Sequence, residues 1–400
     1  MTSTPAGVLS GVTVIEVGVF MAAPFAAMHL ADLGARVIKV EPPGTGDPTR
    51  TTGPFIEGEG SAFLRINRNK ESVALDLKDP RGKAAFLALV DEADILVENL
   101  RPGAMRRLGL GPDDLLARKP GFIYASASGW GQDGPLAPLA GLDIMAQARS
   151  GLMSITGSPE TGPSKVGVPV CDLVSGLYVA LGVASALRHR DLTGEGQYLD
   201  VSLLESGVSL AVWEAGRYFA TGEFGTPQGT AHQSQAPYQA VRTADGWVTV
   251  GAITPNTWLG FCRALDRMDL HDDPDYVRLA DRRIHRDRLI ASIEESTRRR
   301  TTEELVAAWT TEGVPCAPLA TYDEVFNDDH LDARGFYWDS SHPTAGDVRQ
   351  IGSPMRFSNA ASTRGAAGPS LGQHTRSVLT DIGMSAEDID ALVGDTAVQS

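Results

Sequence analysis

Cysteine is scarce in this chain, and its spacing excludes two kinds of stabilised scaffold. The 400 residues contain three cysteines, Cys171, Cys262 and Cys316. An odd number of widely separated cysteines provides neither a disulfide framework nor the C-x-x-C pairs of a structural zinc site. Because all three lie among apolar neighbours, we expect them to be buried packing residues.

Positive charge is also in short supply. The chain has 35 Lys and Arg against 50 Asp and Glu, a formal net charge of −15. This balance argues against non-specific binding to nucleic acid or to an anionic membrane. A small anionic ligand remains compatible with it, since a local group of Arg and Lys side chains can bind one. The first residues have no charged segment followed by an apolar core, so no secretory signal is predicted and we expect a cytoplasmic protein.

What the chain does have is length and a 42% apolar composition, enough for two globular domains. Residues 11–42 read as a β-α-β unit, with strands at 11–17 and 36–41 around a helix at 22–33. Further elements follow in the same alternation: strands at 72–77, 94–98 and 122–128, and a helix at 80–92. Repeated β-α units predict a parallel sheet covered by helices, with ligands at the carboxyl ends of its strands.

The first turn of this sheet argues against a nicotinamide or flavin site. Glu41 lies where a dinucleotide-binding fold would place its ribose-binding acid. However, the turn at 17–24 reads V-G-V-F-M-A-A-P instead of G-x-G-x-x-G. Without those glycines the backbone cannot approach a pyrophosphate closely, so we exclude a dinucleotide oxidoreductase.

A small α+β domain is predicted in the second half. Two alternating segments flank Ala244-Asp245-Gly246, which is a strong hairpin signal, and charged helices are predicted at 257–265, 283–300 and 302–311. The resulting domain prediction is the following: 1–205, the N-terminal part of the large domain; 206–236, a linker helix and loop; 237–316, the small domain; 317–400, the return to the large domain.

Asp172 is a lone carboxylate where a long apolar helix begins. The helix ends at the turn 193–196, and a strand is predicted at 198–203. No other apolar run comes closer to membrane-spanning length, and Arg188 and Arg190 close this one. Since it is apolar on most faces, we expect it to be buried. Asp172 can cap the helix, can act as a catalytic carboxylate, or can do both.

Taken together, several segments resemble the class III (CaiB/BaiF-type) CoA-transferase family, which includes formyl-CoA transferase and α-methylacyl-CoA racemase. The resemblance covers nearly the whole chain outside the linker and parts of the small domain. Besides 169–202 around Asp172, the matching segments are L-S-G-V-T-V-I-E-V at 9–17, L-A-D-L-G-A-R-V-I-K-V-E-P-P-G-T-G-D-P-T-R at 30–50, N-R-N-K-E-S-V-A-L-D-L-K at 67–78, A-D-I-L-V-E-N-L-R-P-G-A-M-R-R-L-G at 93–109, G-V-P-C-A-P at 313–318, H-L-D-A-R-G at 330–335 and L-G-Q-H-T at 371–375.

The resemblance implies an α/β protein with a Rossmann-like large domain built from both chain ends, a smaller α+β domain, and an interlocked homodimer. It implies a CoA-transferase that moves CoA from an acyl-CoA donor to a carboxylic acid acceptor. The catalytic residue is then Asp172, which forms mixed-anhydride and aspartyl-CoA thioester intermediates. Acyl-CoA is a substrate in this chemistry, and no metal or permanently bound cofactor is implied.

By position, the coenzyme A contacts of the family fall on residues from five segments. Lys78 and Arg107 are the natural phosphate partners among them, through charge-assisted hydrogen bonds. Arg107 is alternatively a solvated residue of a short basic helix, and Asn99 a turn residue. The contact residues are Met21, Ala22, Leu75, Lys78, Asn99, Leu100, Arg101, Arg107, Ala140 and Asp143.

Two departures from the family pattern bear on the reaction. Racemases have a His in a G-H-D motif, and the corresponding residue here is Leu142, which cannot transfer a proton. Asp143 remains as a possible second carboxylate or as the N-cap of a helix at 144–150. Formyl-CoA transferase has a glycine run where this chain has 232–237, and Phe20 with Met21 makes the adjoining wall apolar, which suggests an acyl group larger than formyl or oxalyl.

Besides the excluded oxidoreductase, two alternatives to a CoA-transferase remain. A racemase or epimerase of 2-methylacyl-CoA would exchange the α-proton of its substrate. A non-catalytic acyl-CoA-binding protein would bind acyl-CoA without turnover.

His232, Gln233 and Gln235 are candidate contacts to the acyl group or the acceptor acid. His374 is expected to have a structural role at the start of the following helix.

Overall fold

The computed structural model describes residues 7–394, and the chain divides into two compact units. The large unit comprises 7–152, 166–213 and 330–394, and the small unit comprises 153–165 and 214–329. The strands are β1 Thr13–Val17, β2 Arg36–Glu41, β3 Phe55–Ile56, β4 Glu59–Gly60, β5 Lys70–Ala74, β6 Ile95–Glu98, β7 Ile123–Ser128, β8 Gly157–Ser158, β9 Gly162–Pro163, β10 Gln197–Ser202, β11 Tyr238–Arg242, β12 Trp247–Gly251, β13 Cys316–Pro318, β14 Tyr337–His342 and β15 Gly346–Ile351.

Helices occupy most of the remaining chain, and a 3₁₀ turn covers Pro48–Thr51. The α-helices are α1 Ala22–Asp32, α2 Ser61–Ile66, α3 Pro80–Glu92, α4 Ala104–Arg107, α5 Pro112–Arg118, α6 Asp143–Arg149, α7 Leu152–Ile155, α8 Val170–Thr193, α9 Leu203–Ser209, α10 Val212–Thr221, α11 Pro255–Ala264, α12 Met268–Asp272, α13 Leu279–Ile284, α14 Arg286–Thr297, α15 Thr302–Thr311, α16 Tyr322–Phe326, α17 Asp329–Ala333, α18 Thr375–Asp381 and α19 Ala386–Gly394.

The large unit is built on a parallel sheet with the strand order β10-β7-β6-β1-β2-β5. Its central strands are largely apolar on both faces because helices cover both. One core lies between the sheet and α1 with α8, and the other lies against α3, α5 and α18. The predicted α/β class with a parallel sheet is confirmed.

The β5 edge of this sheet is covered by the last part of the chain. Ser72 N–H donates to His374 Nδ1 at 3.1 Å, and Ala74 N–H donates to Thr375 Oγ1 at 3.0 Å. His374 immediately precedes α18 and also donates its own N–H to the Ser72 carbonyl at 2.9 Å. Backbone groups of the edge strand are therefore paired instead of open to another strand.

The small unit contains an antiparallel sheet in the order β11-β12-β13, packed on α11, α14 and α15. The predicted hairpin is present as β11 and β12. The predicted boundary at 316 is wrong, because Cys316–Pro318 is the third strand of this sheet and the unit extends to Asp329. Most of the predicted linker, from Glu214 onward, and the segment 153–165 also belong to this unit.

Several predicted elements differ in detail. The single helix expected at the start of the linker is two helices, α9 and α10, and the expected helix at 283–300 is divided between α13 and α14 at His285. The β14–β15 hairpin was not predicted.

The predicted burial of α8 is wrong for the single chain. One face packs against α1 and the sheet through Val179 and Val183, whereas Leu177, Tyr178 and Leu181 on the other face are exposed. By length and composition alone α8 is also long and apolar enough to cross a membrane, with a mean hydropathy of 1.8 over its most apolar 18 residues. A helix packed on the core of a sheet has the same composition, so this is weak evidence for a membrane span.

Candidate active site

The loop after β1 lies at the centre of the sheet's carboxyl edge, between the ends of β2 and β6. The strand order reverses at β1, which is where open parallel sheets form their ligand crevice. The loop contains Gly18, Val19, Phe20 and Met21 and leads directly into α1.

Three buried or half-buried side chains hold this loop by its backbone. Lys39 Nζ donates to the Gly18 carbonyl at 2.8 Å. The Asn99 amide accepts from Val19 N–H at 2.9 Å and donates to the Val19 carbonyl at 2.8 Å. Asp47 accepts from Phe20 N–H at 3.3 Å. Phe20 has a φ of 58°, a left-handed conformation that costs energy for a bulky residue and is maintained by these contacts.

Asn99 was predicted as a coenzyme A contact, but both the oxygen and the nitrogen of its side-chain amide are hydrogen-bonded to the backbone of Val19. In the structure it joins the end of β6 to the loop after β1. We therefore interpret it as a residue that positions the loop, while its backbone remains at the carboxyl edge.

A buried ionic cluster lies beneath the loop. Glu16 binds Lys39 Nζ and Lys70 Nζ through its two oxygens, each at 2.6 Å, and Lys39 also pairs with Asp47 at 3.0 Å. Burial opposes the charge on Lys39, but the surrounding carboxylates outweigh it and raise the pKa of this lysine. Burial dominates at Lys70 and lowers its pKa to about 8, against the attraction of Glu16.

Glu41 belongs to a neighbouring ion pair instead of a ribose site. Arg50 binds it with two hydrogen bonds of 2.7 and 2.8 Å, and Ser72 Oγ donates to it at 2.7 Å. The sequence signal for the whole cluster was present but not used: isolated charges, such as Glu16 and Lys39, in the middle of apolar strands.

Asp172 lies at the same edge of the sheet. α8 is followed by β10, a parallel strand, so α8 begins at the carboxyl edge just as α1 does. The two helices pack closely, because a Cβ added to Gly176 would lie 2.8 Å from the Ala22 carbonyl oxygen. Asp172 is one turn before Gly176, which places it near the start of α1 and the loop after β1.

The N-terminus of α8 is capped by Asp143 and not by Asp172. Asp143 Oδ1 accepts from Cys171 N–H at 2.8 Å and from Asp172 N–H at 3.3 Å. Its other oxygen accepts from Gln147 Nε2 at 2.6 Å. Asp172 lies in the first turn of α8, so its carboxyl group is not used as the cap. The alternative for Asp143 as the N-cap of α6 is also wrong, since α6 begins at Asp143 itself with Leu142 as its N-cap.

Gln147 is a site residue that the sequence analysis missed. It is fully buried, and its side-chain oxygen accepts from Val166 N–H at 2.9 Å while its nitrogen binds Asp143. Gln147 thus connects the carboxylate that caps α8 to the segment that leads into α8. The only signal for it was the i, i+4 spacing from Asp143.

The electrostatics of this turn make Asp172 easy to protonate. Burial, and then the negative charge of Asp143, raise the pKa of the Asp172 carboxyl group to about 7. Burial and the same two carboxylates raise the pKa of the adjacent Cys171 thiol to about 11. Cys171 is fully buried and in its thiol form, in keeping with the packing role predicted for it.

The other predicted contacts are distributed over three loops of the large unit. Ala140 accepts a hydrogen bond from Trp130 Nε1 at 3.3 Å, and Leu100 N–H donates to Glu98 at 2.8 Å. Glu98 is a second residue that was missed: burial raises its pKa to about 7, and it organises the turn after β6. Leu75 is a core residue, Met21 is the N-cap position of α1, and Ala22 is buried in the first turn of α1.

The basic residues among the predicted coenzyme A contacts are not engaged in ion pairs within residues 7–394. Lys78 follows β5, Arg101 follows β6, and Arg107 ends α4, where its guanidinium lies over Gly103. Neighbouring Arg106 is paired with Asp113. No contact in the described part of the chain joins Lys78, Arg101 or Arg107 to Asp172.

This chain is similar to known proteins in both sequence and structure. The family profile of CoA-transferase family III matches residues 9–375. A mouse succinyl-CoA:glutarate CoA-transferase is 37% identical over 379 residues, covering 94% of this chain and 86% of its own. An acetyl-CoA:oxalate CoA-transferase from Acetobacter aceti is 36% identical, covering 88% of this chain and 90% of its own.

Solved structures agree with the sequence comparison. The crystal structure of a CaiB/BaiF family protein from Brucella suis superposes with a TM-score of 0.86 at 34% identity, covering 94% of this chain and all of its own. Rv3272 from Mycobacterium tuberculosis superposes with a TM-score of 0.84 at 30% identity, covering 93% of this chain and 99% of its own. The chain therefore belongs to CoA-transferase family III and is an enzyme of the CoA-transferase class.

Proposed function

We propose that this enzyme transfers CoA from an acyl-CoA to a carboxylic acid through an aspartyl-CoA thioester on Asp172. The proposal rests on the Asp172 carboxyl group, which lies in the first turn of α8 and does not cap the helix. Its pKa is raised to about 7. A carboxylate of raised pKa is a stronger nucleophile once it is ionised.

The reaction is balanced without any proton or electron donor. An Asp172 oxygen attacks the thioester carbonyl carbon, the C–S bond breaks, and CoA leaves as the thiolate, so that a mixed anhydride of Asp172 and the donor acid remains. The thiolate then attacks the Asp172 carbonyl carbon, which releases the donor acid and forms the aspartyl-CoA thioester. The acceptor carboxylate attacks that thioester, which releases the CoA thiolate and forms a second mixed anhydride between Asp172 and the acceptor. The thiolate then attacks the acceptor's carbonyl carbon in this anhydride, which gives the acceptor's CoA thioester and restores the Asp172 carboxylate.

For the substrates, we propose succinyl-CoA as donor and a short dicarboxylate as acceptor. Relatives are named as succinyl-CoA transferases for glutarate and for mesaconate, at 37% and 35% identity. The apolar side chains of Phe20 and Met21 at the loop after β1 suit the methylene carbons of such acids. A racemase is less well supported, because Leu142 replaces the His that would exchange the α-proton.

We propose that the coenzyme A phosphates bind the unpaired basic side chains of the large unit. Lys78, Arg101 and Arg107 offer donors that are not held in internal ion pairs within the described residues. A guanidinium or ammonium group gains most from a phosphate when it has no competing carboxylate. This local charge is compatible with the overall negative charge of the chain.

Intact-protein mass spectrometry tests the chemistry. We expect wild type incubated with succinyl-CoA to gain a covalent CoA adduct that borohydride reduces, and Asp172→Ala to gain none. A panel of other acyl-CoAs, run in parallel, identifies the preferred donor. Equal labelling of both proteins would contradict the role of Asp172, and α-deuteration in heavy water without labelling would indicate a racemase.

We also propose that the enzyme is an interlocked homodimer. Large apolar side chains are exposed along α8 and at the end of α9 in the single chain: Leu177, Tyr178, Leu181, Val208 and Leu210. A contiguous apolar surface of this kind is typical of a subunit interface. Light scattering should give twice the chain mass of 42.4 kDa, and a mass of one chain would contradict the proposal. Leu181→Asp should reduce the dimer fraction, while Val277→Asp, at a similarly exposed residue of the small unit, should not.

A further inference from the structure

The small unit contains a cavity whose lining has more positively than negatively charged side chains. Its volume is about 270 Å³, somewhat below the range of sites for drug-sized ligands. Three arginines, Arg217, Arg283 and Arg286, contribute to the lining, against one carboxylate, Asp287. A cavity of this size and charge suits a small anion better than a large neutral molecule.

Arg286 is fixed by the cavity wall. Its two terminal nitrogens donate to Gln228 Oε1 at 2.7 Å and to the His232 carbonyl at 2.6 Å. His232 is in turn stacked on Tyr238, with ring centroids 4.9 Å apart. The Nε–H of Arg286 is buried and has no hydrogen-bond partner within residues 7–394. A buried donor of this kind is costly unless something binds it.

Arg217 and Arg283 differ in how their charges are balanced. Arg217 is paired with Glu223 at 2.6 Å. Arg283 has no hydrogen bond or ion pair from its side chain in the described part of the chain, and Glu223 attracts it only at longer range. Burial lowers the pKa of the Arg286 guanidinium, and repulsion from Arg283 lowers it further against the attraction of Asp287. Arg283 and Arg286 thus repel each other, and an anion bound at both would relieve that repulsion.

The rest of the lining is partly apolar. Phe224 and Ile284 are large hydrophobic residues that are 77% and 69% exposed, and both line the cavity with Gly225. A phosphate ion has no apolar surface to place against them, whereas the methylene carbons of a dicarboxylic acid do. We propose that this cavity binds a small dicarboxylate, one carboxylate on Arg283 and the other on Arg286, with its methylene carbons against Phe224 and Ile284. The proposal concerns binding alone and holds whether or not Asp172 carries the transfer chemistry.

Calorimetric titration of the whole chain with glutarate, in the absence of any thioester, tests this site. We expect wild type to bind glutarate and Arg283→Gln to bind it about tenfold more weakly, because one charge-assisted contact is lost. The matched control is Arg299→Gln, which removes the same charge from an exposed residue of the small unit outside the cavity. It should leave the affinity within about twofold of wild type, because screened surface charge contributes little.

Two further ligands and one further variant make the test decisive. Butyrate, with one carboxylate, and inorganic phosphate should both bind at least tenfold more weakly than glutarate. If either binds as tightly, the cavity is a general anion site and the dicarboxylate proposal is wrong. If Arg283→Gln does not fold, Arg283→Lys keeps the charge, removes the fork of donors, and should still weaken glutarate binding. Equal binding of glutarate to wild type and to the folded Arg283 variant, or no binding to wild type, would overturn the site.

Discussion

Asp172→Asn should lose CoA transfer by about 10⁴-fold or more and yet be more stable than wild type above neutral pH. The loss of activity follows because an amide cannot form the mixed anhydride. For stability, the folded-state pKa of Asp172 is about 7 against an ordinary value of 3.8. The folded protein therefore holds this proton more tightly than the unfolded chain. The stability that the protonated carboxyl group contributes is fully present below pH 3.8 and is lost as pH rises from there through 7.

A neutral asparagine has no such loss. We expect the melting temperatures of the two proteins to agree at pH 4 and Asp172→Asn to be more stable at pH 8 by about 2 kcal/mol, a value reduced for the partial exposure of this side chain. Differential scanning calorimetry at the two pH values, beside an activity assay, measures both effects. A variant that is inactive and also less stable at pH 8 would point to a structural role for Asp172 instead.

Asp143→Asn is the matched control for this experiment. Its amide oxygen can still accept from Cys171 N–H, and Asp172 is untouched, but the negative charge beside Asp172 is gone. The pKa of Asp172 should fall, so the acidic limb of kcat/KM should move to lower pH while transfer persists. Loss of transfer as complete as that of Asp172→Asn would contradict the assignment of the two roles.

Glu16→Gln should lower the free energy of unfolding by about 3–5 kcal/mol, because it leaves two buried lysines without their shared carboxylate. Lys39 keeps Asp47 at 3.0 Å, but Lys70 keeps only neutral partners, the Pro24 carbonyl and Asn67. Its pKa, already lowered to about 8, should fall further. The unfolded chain then binds more protons than the folded one between that pKa and the ordinary value of 10.5, so the variant should regain stability as pH rises through this window.

Glu71→Gln provides a comparison on the same sheet. Glu71 pairs with Arg36 at 2.7 Å, but both side chains are about a third exposed. Breaking an ion pair in contact with water should cost at most about 1 kcal/mol. Urea unfolding of both variants at pH 7 and pH 9 separates the two cases. The interpretation of the buried cluster fails if Glu16→Gln is no less stable than Glu71→Gln.

Much of the fold was predictable because local signals and burial agree. The strands of the parallel sheet are short apolar runs, and α3 was predicted at its observed bounds, Pro80–Glu92, because Asp79 caps it and proline occupies its first position. The β11–β12 hairpin follows from Ala244-Asp245-Gly246. Asp172 could be identified as a candidate because a single carboxylate interrupts a long apolar segment.

The parts that could not be predicted depend on contacts between distant residues. Glu16 and Lys70 are 54 residues apart, and their pairing depends on the register of three strands. Asp143 is 28 residues from Cys171, so the sequence around α8 does not indicate that Asp143 caps this helix. The exposed face of α8 was missed for a related reason. Composition shows that a helix has apolar faces to bury, but it does not show whether they pack against the same chain or against another one.

The covering of β5 by the end of the chain has a consequence for how the protein is made. The backbone N–H of Ser72 has its hydrogen-bond partner in His374, which is synthesised 302 residues later. A ribosome adds about 5–20 residues per second. For roughly 15–60 s the nascent sheet therefore has a bare edge on which another newly made chain can add a strand. Chains that end early, before His374, never close that edge. Chaperone supply and complete translation should thus govern the yield of this enzyme more strongly than they would for a sheet whose edge is closed by its own neighbouring loop.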